Sequence, residues 1–331
     1  MRILLVKLSS LGDVVHTLPV VQDILTAMPD AQIDWVVENA FAPLLTQVGG
    51  LRRVIPCELR RWRKSFWAAQ TWQAWRAFKA DLQTDSYDAV IDLQGLTKSA
   101  VVSRLAKLTP TGKRYAMANQ TDGSGYEAPT RWAADVAISL EPHVHAVARG
   151  RLLAAKALGY SADVARKSPV YGLKVPVAQS IRALAAPKNI AFIHGTSRQD
   201  KSWPLQNWQA LGQRLAASGY QVTLVHGNAQ ELATSQSVAA QLGGSATVLP
   251  LLALDTLANA LTLCAGAIGV DSGVSHIAVA LGLPHVQIYN FDTAWRTGPL
   301  GCARQVSVYG RPAPSVDAVW QAWLACEDAQ R

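Results

Sequence analysis

Charge is scarce in this chain. Asp, Glu, Lys and Arg make up only 16% of its 331 residues and apolar types 50%, which excludes a long disordered protein and leaves ample material for two packed domains of ordinary size. Cysteine is scarce as well. Cys57, Cys264, Cys302 and Cys326 stand far apart with no C-x-x-C spacing, so a zinc ribbon and a disulfide scaffold are both excluded, and four reduced thiols in a cytosolic protein are expected. No apolar run approaches the roughly 18 residues that span a bilayer, and Lys7 and Asp13 interrupt the N-terminus before a signal-peptide core can form. The motifs G-x-G-x-x-G after the first strand, Walker A, H-E-x-x-H and G-x-S-x-G are all missing, which removes the usual dinucleotide, P-loop, metalloprotease and serine-hydrolase readings. D-x-D, the acidic pair with which many sugar transferases hold a metal, is missing too. A metal-free site is therefore expected.

What is present is an excess of cations, a net charge of +8, which favours anionic partners without choosing among phosphates, acidic sugars, nucleic acid and lipid surfaces. Short apolar runs alternate with helical patterns. RILLVK, QIDWVVE (32–38) and DAVIDLQG (88–95) read as buried strands, residues 12–28 as a helix with Val15, Leu18 and Ile24 or Leu25 inward, and a further helix starts near Thr97. Gly, Thr and Pro in 109–130 predict a mobile loop, and a helix follows over about 142–159. Prolines without periodicity place a linker in 161–188. The alternation then restarts with strands at 189–195, 221–227, 265–273 and 284–290, a helix over 204–219 started by Pro204 and stopped by Gly219, and a helical tail from Ser315 to Arg331. Strands spaced by helices imply parallel sheets, and the restart implies two Rossmann-like halves whose ligands bind beyond the carboxyl ends of the strands.

Four stretches carry chemistry. In SSLGDVVHTLP (9–19), Asp13 stands where a buried strand turns into a helix. A first-turn acid capping the helix dipole is the plain reading, and a general base kept ionised by that same helix end is compatible with it. In HGTSRQDKSWP (194–204), Thr196, Ser197 and Lys201 supply hydroxyls and one ammonium to a phosphate, against the alternative of a polar surface loop. In VDSGVSHIAVALG (270–282), Ser272, Gly273 and Val274 offer backbone N–H groups to an anion at a helix start, or Asp271 or Ser272 merely caps that helix and His276 is a core residue. The stretch 51–79 interleaves Arg52, Arg53, Arg60, Arg61, Arg63 and Lys64 with Trp62, Trp67, Trp72 and Trp75. An amphipathic helix with Trp67, Trp75 and Phe78 in the core explains the aromatics; an acidic substrate or lipid headgroups explain the cations crowded before it.

VKLSSLGDVVHTLP, RRWRK, DLQGLTKSA, DKSWP and DSGVSHIAVALG, in this order, resemble the ADP-heptose:lipopolysaccharide heptosyltransferases of glycosyltransferase family 9, over residues 1 to about 310. The opening stretch and the Ser275-His276 pair are similar to the type I branch. The resemblance implies a GT-B fold: two Rossmann-like domains with parallel sheets facing a central cleft, the acceptor domain in 1–170 and the nucleotide-sugar domain in 185–312. The tail 313–331 is expected to pack back on the N-terminal domain. It implies an inverting, metal-independent transfer of heptose from ADP-L-glycero-D-manno-heptose to Kdo2-lipid A, with Asp13 as general base and Lys201 countering the leaving pyrophosphate. Thr196, Ser197, Asp271, Ser272, Gly273, Val274 and His276 then bind the donor, with Glu231 at the adenosine. Ser10, Arg60, Arg61, Arg63, Lys64, Lys98 and His145 match the acceptor side. No cofactor and no nucleic-acid partner are implied, and a monomer on the cytoplasmic face of the inner membrane is expected, in peripheral contact with it.

Two stretches depart from the family pattern: GSGYEAP (123–129), where an Arg-Glu-Pro is common, and NFDTAW (290–295), where Gly-Pro-Thr-Asp-Pro is common. A related transferase acting elsewhere in the core, a two-lobed sugar-binding protein with no base, and an RNA-binding module whose affinity falls steeply with salt are the competing readings.

Overall fold

The computed structural model describes residues 1–65, 67–176 and 188–329. Part of the linker expected over 161–188, and the last two residues of the tail, lie outside these. Two compact units result, Met1–Gly172 and Leu173–Arg331.

The first unit holds strands β1 (Arg2–Val6), β2 (Gln32–Glu38), β3 (Leu51–Cys57), β4 (Ser86–Asp92), β5 (Lys107–Met117) and β6 (Val136–Ile138). Its helices are α1 (Leu11–Ala27), α2 (Ala42–Leu45), α3 (Leu59–Lys64), α4 (Ala69–Leu82), α5 (Thr97–Leu105), α6 (Pro129–Ala133) and α7 (Ala146–Leu158). The second unit holds β7 (Asn189–Ile193), β8 (Gln221–Leu224), β9 (Ala246–Val248), β10 (Gly266–Val270), β11 (His285–Tyr289) and β12 (Gln305–Tyr309), with α8 (Leu205–Ala217), α9 (Ala229–Leu242), α10 (Leu254–Thr262), α11 (Gly273–Ala280), α12 (Ala294–Thr297) and α13 (Val316–Asp328).

Each unit is one parallel sheet, ordered β3-β2-β1-β4-β5-β6 in the first and β12-β11-β10-β7-β8-β9 in the second. Counted from its own first strand, each has the doubly wound order 3-2-1-4-5-6. Ile3 to Val6 of β1 are wholly buried, as a strand covered on both faces demands, which is why it reads as a continuous apolar run. The order matters for function because the chain leaves β1 and its neighbour β4 in opposite directions, opening a crevice beyond their carboxyl ends. The pair β7 and β10 does the same in the second unit.

Three expectations need correction. Residues 107–117 form β5 rather than a loop. The pairing with β4 runs Ser86↔Lys107 and Tyr87↔Leu108, then resumes at Ala89↔Lys113, so Pro110 and Gly112 are absorbed by a bulge between two paired segments. Trp67 is not in the core but 93% exposed; the aromatic cluster of this region is Trp62, Trp75 and Phe78. The C-terminal helix packs on the second unit instead of the first. Val319, Trp320, Trp323 and Cys326 of α13 are buried in that unit's core, and the Trp323 ring lies where a Cβ on Gly266 would stand, 2.5 Å from it. An apolar stripe of that width has to be covered by the nearest sheet, here β11 and β12.

Candidate active site

In the first unit, Leu8 to Ser10 leave β1 and α1 begins at once. Ser10 is its N-cap, and a capping box joins Ser10 to Asp13. The Ser10 backbone N–H donates to Asp13 Oδ2 at 3.0 Å and its hydroxyl at 2.8 Å. Asp13 Oδ1 lies 3.8 Å from Lys7 Nζ and 3.8 Å from the Arg149 guanidinium. Burial by itself would push the Asp13 carboxyl up, but the Lys7 charge, the Ser10 hydrogen bonds and Arg149 outweigh it and hold the group below the usual carboxylate range. The side chain is still 36% exposed. Asp13 is therefore ionised and open to solvent, and it caps α1.

Lys7 and Arg149 are the residues that sequence reasoning missed. Lys7 is buried, donates to the Leu93 carbonyl at 3.0 Å, and has its pKa lowered to about 8 by burial. A lysine directly after a buried apolar run and just before Ser9-Ser10 is the signal that could have marked it. Arg149 is brought in by packing of α7 on α1, fixed by the buried Arg151–Asp23 ion pair at 2.6 Å. No local pattern announces a contact across 136 residues of chain.

Around this centre, the Gln94 side chain accepts from the N–H groups of Leu8 and Ser9, and Lys98 donates to the Ser9 hydroxyl at 2.9 Å. Lys98 thus stands beside the β1 turn. Asp92, wholly buried at the end of β4, is pushed up to about 6 by burial although Gly95, Gln94 and Ser99 donate to it. His145 is the N-cap of α7, where its Nδ1 accepts from the Val147 N–H, and its ring meets that of His16 at 6.2 Å. The basic segment divides. Arg52 and Arg53 belong to β3 and are tied to Asp34, Asp81 and Asp85. Arg61 pairs with Glu58 at 2.6 Å. The backbone of Arg60 donates to Glu38, while Arg63 and Lys98 line one groove. Lys64 is the exposed last residue of α3.

In the second unit, the chain beyond β7 borders a pocket of about 450 Å³ lined by Gly195, Thr196, Ser197, Trp203, Asn228 and Glu231 among others. Asn228 caps α9 by accepting from the Glu231 N–H, and the Glu231 carboxylate turns back to accept from the Gly227 N–H at 2.7 Å. A Cβ on Gly195 would lie 2.6 Å from that carboxylate, so a larger residue there would push the Glu231 side chain aside. Lys201 and Asp271 meet at 2.6 Å, with His276 Nε2 3.4 Å from the other carboxylate oxygen and Thr297 donating to it. Burial opposes ionisation of Asp271, yet His276 and Lys201 hold it well below the usual carboxylate range. Ser272 is the N-cap of α11, with Gly273 and Val274 in its first turn. The structure thus groups Thr196, Ser197 and Glu231 round the pocket and joins Lys201, Asp271 and His276 in one ion cluster.

Among the described residues no set of three or more His, Cys, Asp and Glu side chains is placed to hold a metal ion. The chemical parts are an ionised carboxylate at the β1–β4 crevice and, at the β7–β10 crevice, an ammonium with a helix start.

The sequence profile of glycosyltransferase family 9 (heptosyltransferase) matches residues 75–318. Lipopolysaccharide heptosyltransferase 1 of Pseudomonas aeruginosa is 37% identical over 91% of this chain and 82% of its own length. The solved structure of Escherichia coli heptosyltransferase WaaC with ADP superposes with a TM-score of 0.85 at 33% identity, covering 97% of this chain and 98% of that one. The same Escherichia coli protein with ADP-2-deoxy-2-fluoro heptose gives a TM-score of 0.79 at 34% identity and the same coverage. With two parallel sheets of doubly wound order, helices on both sides of each, and these likenesses over nearly its whole length, the chain belongs to glycosyltransferase family 9, the heptosyltransferases, and is a glycosyltransferase of GT-B fold.

Proposed function

We propose that this enzyme transfers heptose from ADP-L-glycero-D-manno-heptose to a Kdo residue of Kdo2-lipid A, with inversion and without a metal, during synthesis of the lipopolysaccharide inner core. The observation that carries the reading is Asp13, a carboxylate kept ionised by Lys7, Arg149 and Ser10 yet 36% exposed at the β1 carboxyl end. The donor reading is supported by the relatives solved with ADP and with a fluorinated ADP-heptose.

In this mechanism the Kdo hydroxyl attacks the heptose anomeric carbon and gives its proton to Asp13, while the bond to ADP breaks on the opposite face. One displacement inverts the centre. A carboxylate below its ordinary pKa is a weak base, so the proton moves late, when the sugar already carries much of the positive charge. ADP departs with its negative charge met by Lys201, by the Thr196 and Ser197 hydroxyls and by the N–H groups of Ser272, Gly273 and Val274. Asp271 and His276 hold Lys201 and the heptose hydroxyls in place, and Glu231 receives the adenosine. Arg60, Arg61, Arg63, Lys64 and Lys98 bind the Kdo carboxylates and lipid A phosphates, with Ser10 and His145 bordering the acceptor. Because the acceptor is a lipid and no helix of the described residues is long and apolar enough to cross a membrane, the enzyme works as a peripheral protein on the cytoplasmic face of the inner membrane. One chain carries both half-sites, which fits a monomer.

Mass spectrometry of deacylated Kdo2-lipid A after incubation with ADP-heptose, enzyme and excess EDTA tests the proposal. Addition of a single heptose is expected. No addition, or addition only when a divalent cation is restored, contradicts it.

Two further outcomes are expected. Lys7→Met removes the cation with the largest pull on Asp13, so the acid limb of the kcat/KM profile moves to higher pH by about one unit, since an opposite charge within 4–6 Å typically shifts a carboxyl that much or more; a profile at constant ADP affinity reads this. Gly195→Ala places a methyl against the Glu231 carboxylate and raises the ADP dissociation constant about tenfold, roughly the effect of 1.4 kcal/mol, as calorimetric titration will show.

A further inference from the structure

The exposed tryptophans of the first unit have no part in the chemistry above, although the cations Arg60, Arg61, Arg63, Lys64 and Lys98 assigned to the acceptor lie beside them in the chain or in the fold. Trp67, between α3 and α4, is 93% exposed, Trp72 of α4 44%, Val101 of α5 46% and Trp132 of α6 68%. Two grooves flank α5. One, of about 520 Å³, is walled by Leu59, Trp62, Trp72 and Trp75 and edged by Arg63 and Lys98. The other, of about 330 Å³, lies between α5 and α6. Val101 lines both, so the apolar surface runs from the α3–α4 turn across α5 to α6. Soluble monomers rarely expose tryptophans in such a continuous band.

The charge on this face is mostly positive, with Glu58 paired to Arg61 and Glu127 bound to Thr97 at its margins. The segments 59–80, 97–105 and 129–133 contain no Asp or Glu, but they contain Arg60, Arg61, Arg63, Lys64, Arg76, Lys79, Lys98, Arg104 and Arg131. Residues 1–172 hold 21 Lys and Arg against 15 Asp and Glu, so six of the eight net positive charges lie in this unit. The Arg131 guanidinium stacks on the Trp132 ring at 5.5 Å, leaving an amphipathic pair at the surface. Tryptophan beside arginine and lysine is the side-chain chemistry of the bilayer interface: the ring sits at headgroup depth and the cation meets lipid phosphate. A nucleic acid would satisfy the cations but not two grooves walled by aliphatic and indole carbon.

We propose that the face formed by the α3–α4 turn, α5 and α6 docks on an anionic lipid bilayer, with Trp67 and Trp132 entering the interface and Arg76, Lys79, Arg104 and Arg131, cations outside the acceptor set, meeting lipid phosphates. The proposal rests on the reading of the enzyme as acting on a membrane lipid, and it names the surface that does the docking. Cations held near an anionic leaflet give attraction that salt weakens.

Sedimentation of the full chain with extruded vesicles tests it. Vesicles of phosphatidylcholine with 30% phosphatidylglycerol (about one anionic lipid in three, comparable to an anionic leaflet) are compared with phosphatidylcholine alone. Expected are binding to the anionic vesicles, at least tenfold weaker binding to the neutral ones, and at least tenfold weaker anionic binding by Trp67→Ser/Trp132→Ser. Leu251→Ser, at a site 65% exposed in the second unit, should bind as the unaltered chain does. All variants should transfer heptose to the soluble deacylated acceptor at the same rate, because exposed substitutions leave fold and site intact. Transfer to the soluble acceptor without vesicle binding, or equal binding by the double variant, overturns the docking proposal and leaves the transferase reading standing. Vesicle binding without any transfer removes the transferase reading and leaves the surface.

Discussion

Asp13→Asn is expected to lower kcat by about 1,000-fold, within the range that a positioned general base contributes, and to leave ADP affinity unchanged. The amide keeps the size of the side chain and an oxygen that can accept from Ser10, so the start of α1 persists. What it lacks is the second lone-pair-bearing oxygen with a negative charge to take the acceptor proton. Its loss also leaves Lys7 buried with only the Leu93 carbonyl and the field of Asp92, so a modest drop in melting temperature accompanies the loss of rate. Single-turnover transfer and ADP titration on the same preparation separate the two effects. A rate near that of the unaltered enzyme would remove Asp13 from the base role.

Lys201→Met should have the second large effect, and it should fall on the other side of the reaction. Without the ammonium, the departing pyrophosphate loses a side-chain cation beyond β7, and kcat/KM for the donor is expected to fall about 100- to 1,000-fold, as when one stabilising donor is removed from a developing anion. The substitution also strands Asp271, which is buried and 2.6 Å from Lys201. Removing one partner of a buried pair typically costs about 3–5 kcal/mol. The Lys201 side chain is 21% exposed and His276 remains 3.4 Å from the carboxylate, so a loss of about 2 kcal/mol is the expectation here. Lys201→Met/Asp271→Asn should regain most of that stability without regaining ADP affinity, which distinguishes a phosphate role from a structural one. The pH dependence has a definite sign. The folded pKa of Asp271 is depressed below its unfolded value, so the cluster's contribution is present above about pH 4, the ordinary aspartate value, and is lost as pH falls through the depressed folded value. Acid unfolding of the Asp271→Asn variant should accordingly be less steep.

The sequence carries the frame of the molecule because the sheet centres are buried on both faces. Runs such as Ile3-Leu4-Leu5-Val6 and Gly266-Ala267-Ile268-Gly269-Val270 are continuously apolar and too short for a buried helix, which marks them as strands covered on both faces. The motifs at Asp13, Lys201 and Asp271 are legible for a related reason: each stands at the end of a central strand, where the doubly wound order opens a crevice. At the sheet margins the signals fade. β3 is masked by Arg52 and Arg53, which read as part of a cationic patch until Asp34 and Asp85 are found opposite them. β5 is masked by Pro110 and Gly112, harmless in a bulge. Trp67 follows a helical pattern on paper, but α3 ends at Lys64 and α4 starts at Ala69, so the period that would turn it inward is broken. The placement of α13 depends on which sheet has an uncovered flank, a property of the assembled unit rather than of the tail. The supports of Asp13 are non-local in the same way, since Arg149 arrives only through the α1–α7 contact.

The account stands most directly on the stereochemistry of the transfer. NMR of the purified product, reading the one-bond C1–H1 coupling of the heptose anomeric centre against that of the ADP-heptose supplied, should show an inverted configuration with no heptosylated enzyme at any time. A retained configuration, or a covalent heptosyl adduct trapped on the protein, would contradict direct attack assisted by Asp13.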